Sequence, residues 1–326
     1  MRRATWIVPV LLLLLSLASR ADGPAGRTLA ITIDDLPYAP GVAEPGRLEE
    51  ARRATAAILA ALAKHHAPAI GFVNESRLLV AGEMDARVAL LRQWMDAGLD
   101  LGNHTFSHLR LQDTPVDRYE DDIVRGDVIT RRLREGYGDP GGRGGRSLFF
   151  RYPFNSTGPT REVRQAVEQF LAARGYRIAP FTVEHADYLF NRIWTDPASD
   201  GALRTRTRDA YMAQLDTMLD FMERLSRDTF GREIPQILLI HANDLNAECL
   251  DAMLTRLEAR GYRIVPLEEA LRDPAYATPD DYVGPAGVSW LHRWSIHLGL
   301  PMRLREEPDP PQWALDLYQR LTAPAH

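Results

Sequence analysis

Short apolar runs alternate along the chain with longer segments whose apolar residues recur every three or four positions. The short runs predict seven strands, at residues 29–33, 69–73, 99–102, 148–150, 177–183, 236–240 and 263–265. The periodic segments predict six helices, at residues 49–64, 85–97, 117–135, 161–174, 203–226 and 247–260. Strands that alternate with helices indicate an α/β fold with a parallel sheet, and seven such units come close to a closed barrel.

The alternation fades after Pro266, where the sequence becomes rich in proline and aromatic residues. We therefore predict a main domain at residues 28–270 and a C-terminal extension at residues 271–326, packed on the barrel. The sequence of the extension indicates no role for it.

The N-terminus has the pattern of a secretory signal peptide. Arg2 and Arg3 precede an apolar stretch at residues 6–17, and small residues follow it. We predict a signal peptide at residues 1–21, with cleavage after Ser19 or Ala21. The mature protein would be periplasmic or secreted and would have no stable membrane span. An uncleaved anchor is the alternative, although the apolar stretch is short for a bilayer.

Composition excludes several classes of partner and stabilising bond. The 39 Lys and Arg residues against 44 Asp and Glu residues give a net charge of -5. Without a basic patch there is no case for a nucleic-acid partner. Cys249 is the only cysteine, so no disulfide can form within the chain. An apolar fraction of 45% is enough for a sizeable core. The oligomeric state stays open.

Polar residues collect where the predicted strands end. Asp34-Asp35, His104, Arg151, Asp187 and His241 follow five different strands, and the carboxyl ends of parallel strands share one edge of a sheet. Two adjacent carboxylates after a buried strand indicate a bound cation, a proton to be moved, or both. Neighbouring strand residues point to opposite faces, so we expect Asp34 and Asp35 to have different roles. A simple turn cap at Asp35 is the alternative.

His104 and His108 are four residues apart, and on a helical turn this spacing brings two imidazoles to the same side. With a carboxylate from another strand end they would form a set of two histidines and one carboxylate. Three protein ligands leave positions open for water and substrate, as in catalytic zinc sites. An exposed histidine pair without a metal is the alternative reading.

Five segments in order resemble the motifs of the polysaccharide deacetylase family, also called the NodB-homology or carbohydrate esterase 4 family. They are Thr32-Ile-Asp-Asp-Leu-Pro37, His104-Thr-Phe-Ser-His108, Arg151-Tyr-Pro153, Asp187-Tyr188 and Leu238-Leu-Ile-His241. The resemblance extends roughly from residue 29 to residue 266. It implies a distorted, incomplete (β/α)7 barrel and metal-dependent removal of acetyl groups from N-acetylated sugars, with an N-acetylated glycan as substrate.

The resemblance also implies roles for individual residues. Asp35, His104 and His108 would bind the metal, and Asp34 would be the general base. Arg151 would hold Asp34, while His241 would be the general acid and would pair with Asp187. The backbone N–H of Phe154, after Pro153, would help bind the oxyanion, and Pro153 and Tyr188 would also belong to the oxyanion and substrate-binding region. The ligand set suits Zn²⁺, and Co²⁺, Mn²⁺, Fe²⁺ or Ni²⁺ could also bind it.

Three positions depart from the family pattern: Leu36 and Asn155 stand where glycine is usual, and Tyr188 replaces a tryptophan. They affect the shape of the groove rather than the ligands, so the sequence does not identify the glycan. Hydrolysis of acetyl esters on xylan-like sugars, or of a small amide, is an alternative. A carbohydrate-binding protein that retains the metal without turnover is another. A phosphatase would need an Asp-x-Asp pair or a second metal cluster, and the sequence has neither.

Overall fold

A seven-stranded parallel sheet forms the centre of the computed structural model, which describes residues 26–40, 46–138 and 147–323. The strands are β1 (Thr28–Leu36), β2 (Ala69–Val73), β3 (Asp100–Asn103), β4 (Leu148–Phe150), β5 (Tyr176–Ile178), β6 (Gln236–His241) and β7 (Arg263–Ile264). Their order is β5-β4-β3-β2-β1-β6, and β7 pairs with the beginning of β1. The predicted α/β class and parallel sheet are confirmed.

The sheet curls so that its two ends meet through very few contacts. The chain beyond β5 reaches β6, where the N–H groups of Thr182 and Val183 donate to the Ile237 carbonyl at 2.9 and 3.0 Å. Val183 forms a single isolated bridge with Leu238. The ring of strands is therefore a strongly distorted barrel. The continuous strand predicted at residues 177–183 is wrong, because only its two ends pair with neighbouring strands.

Helices cover the outside of the sheet. They are α1 (Leu48–Lys64), α2 (Met84–Asp96), α3 (Val116–Arg125), α4 (Val128–Tyr137), α5 (Arg161–Ala173), α6 (Asp187–Trp194), α7 (Gly201–Phe230), α8 (Asp244–Ala259), α9 (Leu267–Ala270), α10 (Trp290–His297) and α11 (Gln312–Thr322). β1 is buried along most of its length, as a strand covered on both faces of the sheet must be.

The single helix predicted at residues 117–135 is in fact two helices, α3 and α4, separated near Gly126. The backbone of Thr105 and Phe106 packs against Gly126, where any side chain would collide with it. The Phe106 N–H also donates to the Asp122 carbonyl at 3.0 Å. The break therefore makes room for the loop that carries His104 and His108.

The segment after α9 packs on the barrel. The Trp290 N–H donates to the Phe181 carbonyl at 3.0 Å, and Arg192 of α6 donates to the Leu321 carbonyl of α11 at 3.0 Å. The division into domains at residue 270 stays a prediction. The predicted signal peptide at residues 1–21 lies outside the described residues. Among the described residues no helix is both long and apolar enough to cross a bilayer.

Candidate active site

Asp34 and Asp35 lie at the end of β1, where the strand is irregular. The pairing of β1 with β2 shifts register between Ile33 and Leu36, and Asp35 adopts a left-handed backbone conformation with φ 68°. This irregularity brings both carboxylates to the same pocket. The expectation that they point to opposite faces is therefore wrong, because it assumed a regular strand.

Asp35, His104 and His108 form a compact group. One donor atom from each lies within 4.8 Å of the others. The Oδ1 atom of Asp35 is 3.7 Å from His104 Nε2 and 3.5 Å from His108 Nε2. Strand β3 and the loop after it therefore place both imidazoles opposite the carboxylate of β1.

The loop from His104 to His108 is not the helical turn that the spacing suggested. Thr105 and His108 have left-handed backbone conformations, with φ 64° and 57°. The Asn103 side chain accepts from the Thr105 N–H at 2.7 Å, and the Thr105 hydroxyl accepts from the His108 N–H at 3.0 Å. These bonds fold the loop tightly, and the two imidazole rings lie 5.0 Å apart. The prediction of proximity holds, although the local structure behind it differs.

Hydrogen bonding and burial prepare the histidines to act as ligands. His104 Nδ1 lies 2.8 Å from the Arg151 carbonyl, which can only accept, so Nδ1 carries the proton and Nε2 offers its lone pair to the pocket. Burial lowers the pKa of His104 and of His108 to about 4, although the nearby Asp35 charge opposes this. Both rings are therefore neutral at pH 7.

The donor set fits a divalent cation. The Oδ1 atoms of Asp34 and Asp35 are buried and have no hydrogen-bond partner among the described residues, which is costly for carboxylates. Burial raises the pKa of Asp35, but the charge of Arg77, 3.2 Å away, and the neighbouring histidines outweigh it and bring the pKa below its usual value. An ionised carboxylate with two neutral imidazoles matches a catalytic zinc-type site.

Asp34 lies near a buried arginine, Arg151, as well as near the histidines. Arg151 Nη1 lies 3.7 Å from Asp34 Oδ2, which is an ion pair without a close hydrogen bond. Arg151 Nη2 instead donates to the Thr32 hydroxyl at 2.9 Å. Burial raises the pKa of Asp34 and exceeds the opposing effect of the Arg151 charge. Asp34 is therefore the more basic carboxylate of the pair.

His241 and Asp187 form a strong pair on the other side of the pocket. His241 Nδ1 is 2.8 Å from Asp187 Oδ1, and the His241 backbone N–H donates to Asp187 Oδ2 at 2.8 Å. Burial lowers the pKa of His241, but the charge and hydrogen bond of Asp187 outweigh it and raise the pKa to about 10. His241 is therefore an imidazolium at neutral pH.

Asn243 and Asn246 hold Asp187 in place. Asn243 is the N-cap of α8: its Oδ1 accepts from the Asn246 N–H at 2.8 Å. Its Nδ2 donates to Asp187 Oδ2 at 3.0 Å, and Asn246 Nδ2 donates to the same oxygen at 2.5 Å. Burial raises the pKa of Asp187, but the charge and hydrogen bonds of His241 outweigh it, so the pKa lies below its usual value and Asp187 is ionised.

The candidate site opens into a pocket of about 860 Å³. Five of the residues that the sequence predicts as metal ligands or proton carriers line its walls: Asp34, Asp35, His104, His108 and His241. Phe154 and Tyr188 line the rim, with 54% and 51% of their surface exposed. Arg151 and Asp187 are buried behind the wall, and Pro153 is buried at the base of the loop that carries Phe154.

Residues 21–171 match the family model described as polysaccharide deacetylase. The matched segment belongs to the polysaccharide deacetylase family. The expected enzyme class, a deacetylase hydrolase, is confirmed by this match. Asp34, Asp35, His104, His108 and Arg151 lie within the deacetylase segment, whereas Asp187 and His241 lie beyond it.

Solved structures of deacetylases are similar to the chain at a low level. The Bacillus subtilis peptidoglycan deacetylase PdaC is 19% identical over 78% of this chain and 97% of its own, with a TM-score of 0.48. The catalytic domain of a peptidoglycan N-acetylglucosamine deacetylase from Eubacterium rectale is 15% identical over 76% and 91%, with a TM-score of 0.49.

A third similar structure, BA3943 from Bacillus anthracis, is described as a CE4 family pseudoenzyme. It is 20% identical over 76% of this chain and 66% of its own, with a TM-score of 0.49. These values are too low to carry an inference about the substrate. No curated protein matches the sequence significantly.

Two polar residues that follow β2 also support the site, and the sequence motifs did not predict them. Asn74 follows this strand and donates to the His104 carbonyl at 2.5 Å, and Arg77 pairs with Asp35. The strand-end rule would have found both, since β2 was the only central strand to which no polar residue was assigned. Glu184 was missed as well: it lines the pocket, and burial and the charge of Asp187 raise its pKa to about 7.

Proposed function

We propose that this chain is an exported, metal-dependent deacetylase that removes acetyl groups from N-acetylated sugars. The observation that carries the proposal is one pocket with two chemically different sides. A neutral histidine pair with Asp35 forms one side, and the charged His241 forms the other. Asp34 lines the same pocket. The family match supports the reaction class.

In this proposal Asp35, His104 and His108 hold the cation. Zn²⁺ suits two imidazoles and a carboxylate best, and Co²⁺, Mn²⁺, Fe²⁺ or Ni²⁺ could replace it. When bound, the ion polarises the acetyl carbonyl and lowers the pKa of water. Arg77 keeps Asp35 ionised, and the Arg151 carbonyl fixes the orientation of His104.

The remaining side chains move the protons. Asp34 accepts the proton of the attacking water as its oxygen bonds to the carbonyl carbon; the raised pKa of Asp34 suits it to this task. The negative charge that develops on the carbonyl oxygen is stabilised by the Phe154 backbone N–H. His241 then gives its proton to the nitrogen as the carbon–nitrogen bond breaks. The products are acetate and a free amine.

The pocket suggests a short substrate or the end of a glycan. A volume of about 860 Å³ lies within the range of sites for small ligands. Tyr318, Leu321 and Thr322 of α11 line it together with the β1 carboxylates, and Phe154 and Tyr188 present aromatic surface to a sugar. We propose one or two N-acetylated hexosamine units as the part of the substrate that binds.

Acetate release tests the proposal. The mature chain, purified without metal and then loaded with Zn²⁺, is incubated with peptidoglycan fragments, chitooligosaccharides, acetylxylan and small acetamides. We expect acetate from an N-acetylated sugar and none from the metal-free protein or from Asp34→Asn. Acetate released from acetylxylan alone would show that the enzyme hydrolyses an acetyl ester and not the proposed amide. No acetate from any substrate would favour a binding protein without turnover.

A further inference from the structure

A fully buried arginine contacts the loop that carries Phe154. It belongs to the C-terminal segment, residues 271–323. Arg293 of α10 donates through Nη2 to the Asn155 carbonyl at 2.6 Å and through Nη1 to the Thr157 hydroxyl at 3.1 Å. It also donates to Asp280 at 3.0 Å and to the Val288 carbonyl at 2.9 Å. One guanidinium therefore joins the C-terminal segment to the loop at residues 154–157.

This loop has an unfavourable backbone conformation. Phe154 and Asn155 are consecutive and both are left-handed, with φ 55° and 50°. For residues other than glycine such a conformation is unfavourable, and it persists only when its surroundings enforce it. The hydrogen bond from Arg293 to the Asn155 carbonyl is a contact of that kind.

The C-terminal segment also presses directly on the loop. Gly287 lies so close that any side chain there would collide with the Phe154 carbonyl oxygen and approach the Asn155 side chain. The segment is fixed to the barrel on both sides of this contact. Arg164 donates to the Tyr282 carbonyl at 2.6 Å, and the Ser289 hydroxyl donates to the Thr182 carbonyl at 2.7 Å. The loop is therefore held between the barrel and the C-terminal segment.

We propose that Arg293 is a positioning residue for deacetylation. By holding the Asn155 carbonyl it keeps the Phe154 N–H aimed at the acetyl carbonyl oxygen. This inference rests on the proposed function and gives the C-terminal segment a role that its sequence did not indicate. It also explains how Asn155 can stand where glycine is usual: the hydrogen bond offsets the strain that a side chain adds to a left-handed residue.

Arg293→Lys tests the positioning. Lysine keeps the charge beside Asp280 but lacks the planar fork that reaches Asn155 and Thr157 at once. We expect kcat for acetate release to fall about 10- to 100-fold, the scale expected when a catalytic group is misplaced. KM and metal content should change little. Arg303→Met, which removes an exposed arginine of the same segment, is the control and should keep the wild-type kcat.

Asn155→Gly separates positioning from general stability. Glycine removes the side-chain strain at this residue, and the backbone carbonyl that Arg293 contacts remains. In the Asn155→Gly background, Arg293→Lys should therefore lower kcat much less than in the wild-type background. An equal loss in both backgrounds, or no loss in either, would overturn the proposal. If Arg293→Lys does not fold, Gly287→Ala takes its place and should lower kcat by displacing the same loop.

Hydrogen exchange tests whether Arg293 holds the loop, and it does not depend on an activity assay. The Asn155 N–H donates to the Tyr152 carbonyl at 2.9 Å, and the Ser156 N–H donates to the Pro153 carbonyl at 3.1 Å. We expect Arg293→Lys to speed exchange of these two amides at least tenfold, and Arg303→Met to leave it unchanged. Unchanged exchange in Arg293→Lys would refute the positioning role, whether or not the wild-type protein releases acetate. A wild-type protein without activity would count against the proposed function alone.

Discussion

His241 has the most strongly perturbed environment of the proposed proton carriers. Burial alone would lower its pKa, yet the Asp187 carboxylate 2.8 Å away raises it to about 10. A general acid must be protonated to act, so turnover should be lost as the pH rises through the pKa of His241. The alkaline limb of the pH profile therefore reports on the His241–Asp187 pair.

Asp187→Asn should move this alkaline limb to lower pH. The asparagine keeps the size of the side chain but removes the negative charge that stabilises the imidazolium, so the pKa of His241 falls. We expect a shift of at least one pH unit and a lower kcat, measured as acetate release between pH 5 and pH 11. An alkaline limb at the same pH in Asp187→Asn would remove His241 as the general acid.

Residue types at strand ends were enough to predict which side chains meet, but not how they are oriented. The sequence placed Asp34, His104, Arg151 and His241 at one edge of a parallel sheet, and the structure brings them together. The left-handed conformation of Asp35 could not be predicted, since few residues other than glycine adopt it and the strand pattern favours an extended backbone. Local strain of this kind is common at functional sites.

Helix α8 links the stability of the fold to the chemistry of the site through its N-cap residue, Asn243. Asn243 accepts the N–H of Asn246 as an N-cap and donates to Asp187 with the other end of its amide. The contact with Asp187 depends on how α6 and α8 pack together, which the sequence pattern does not predict.

Asn243→Ala should lower both stability and turnover. Loss of an N-cap costs about 1 kcal/mol of unfolding free energy, and loss of the donor to Asp187 weakens the orientation of His241. Asp200→Ala removes the N-cap of α7, whose side chain accepts from the Leu203 N–H at 2.8 Å and does not line the pocket. We expect similar losses in urea denaturation for both variants, and a lower kcat only for Asn243→Ala. Equal kcat values would show that Asn243 acts only as a cap.

At the scale of the whole molecule, the part of the chain that follows the last strand helps to enclose the site. Helix α11 packs against α6 and lines the pocket, and Tyr318 contacts Tyr188 with ring centroids 5.9 Å apart. Strand–helix alternation predicted the sheet, but it could not place α10 or α11. Their positions depend on distant contacts such as the one between Arg192 and the Leu321 carbonyl.

Tyr318→Ala and Leu321→Ala should widen the pocket. We expect the ratio of kcat/KM for a long N-acetylated glycan to that for a disaccharide to rise about tenfold, the scale of a change in one specificity contact. Asp316→Ala changes an exposed residue of the same helix that does not line the pocket, so it should leave the ratio unchanged. An unchanged ratio in Tyr318→Ala and Leu321→Ala would exclude α11 as a determinant of substrate length.

The different roles proposed for Asp34 and Asp35 depend on every level of the structure. The irregular end of β1 orients the two carboxylates, and the loop after β3 and the arrangement of the strands bring the histidines to them. Metal content and acetate release, measured together on purified Asp34→Asn and Asp35→Asn, test these roles most directly. We expect Asp35→Asn to lose most of its Zn²⁺, and Asp34→Asn to keep its Zn²⁺ while acetate release stops. An Asp34→Asn protein that loses the metal, beside an Asp35→Asn protein that retains it, would contradict the proposed roles.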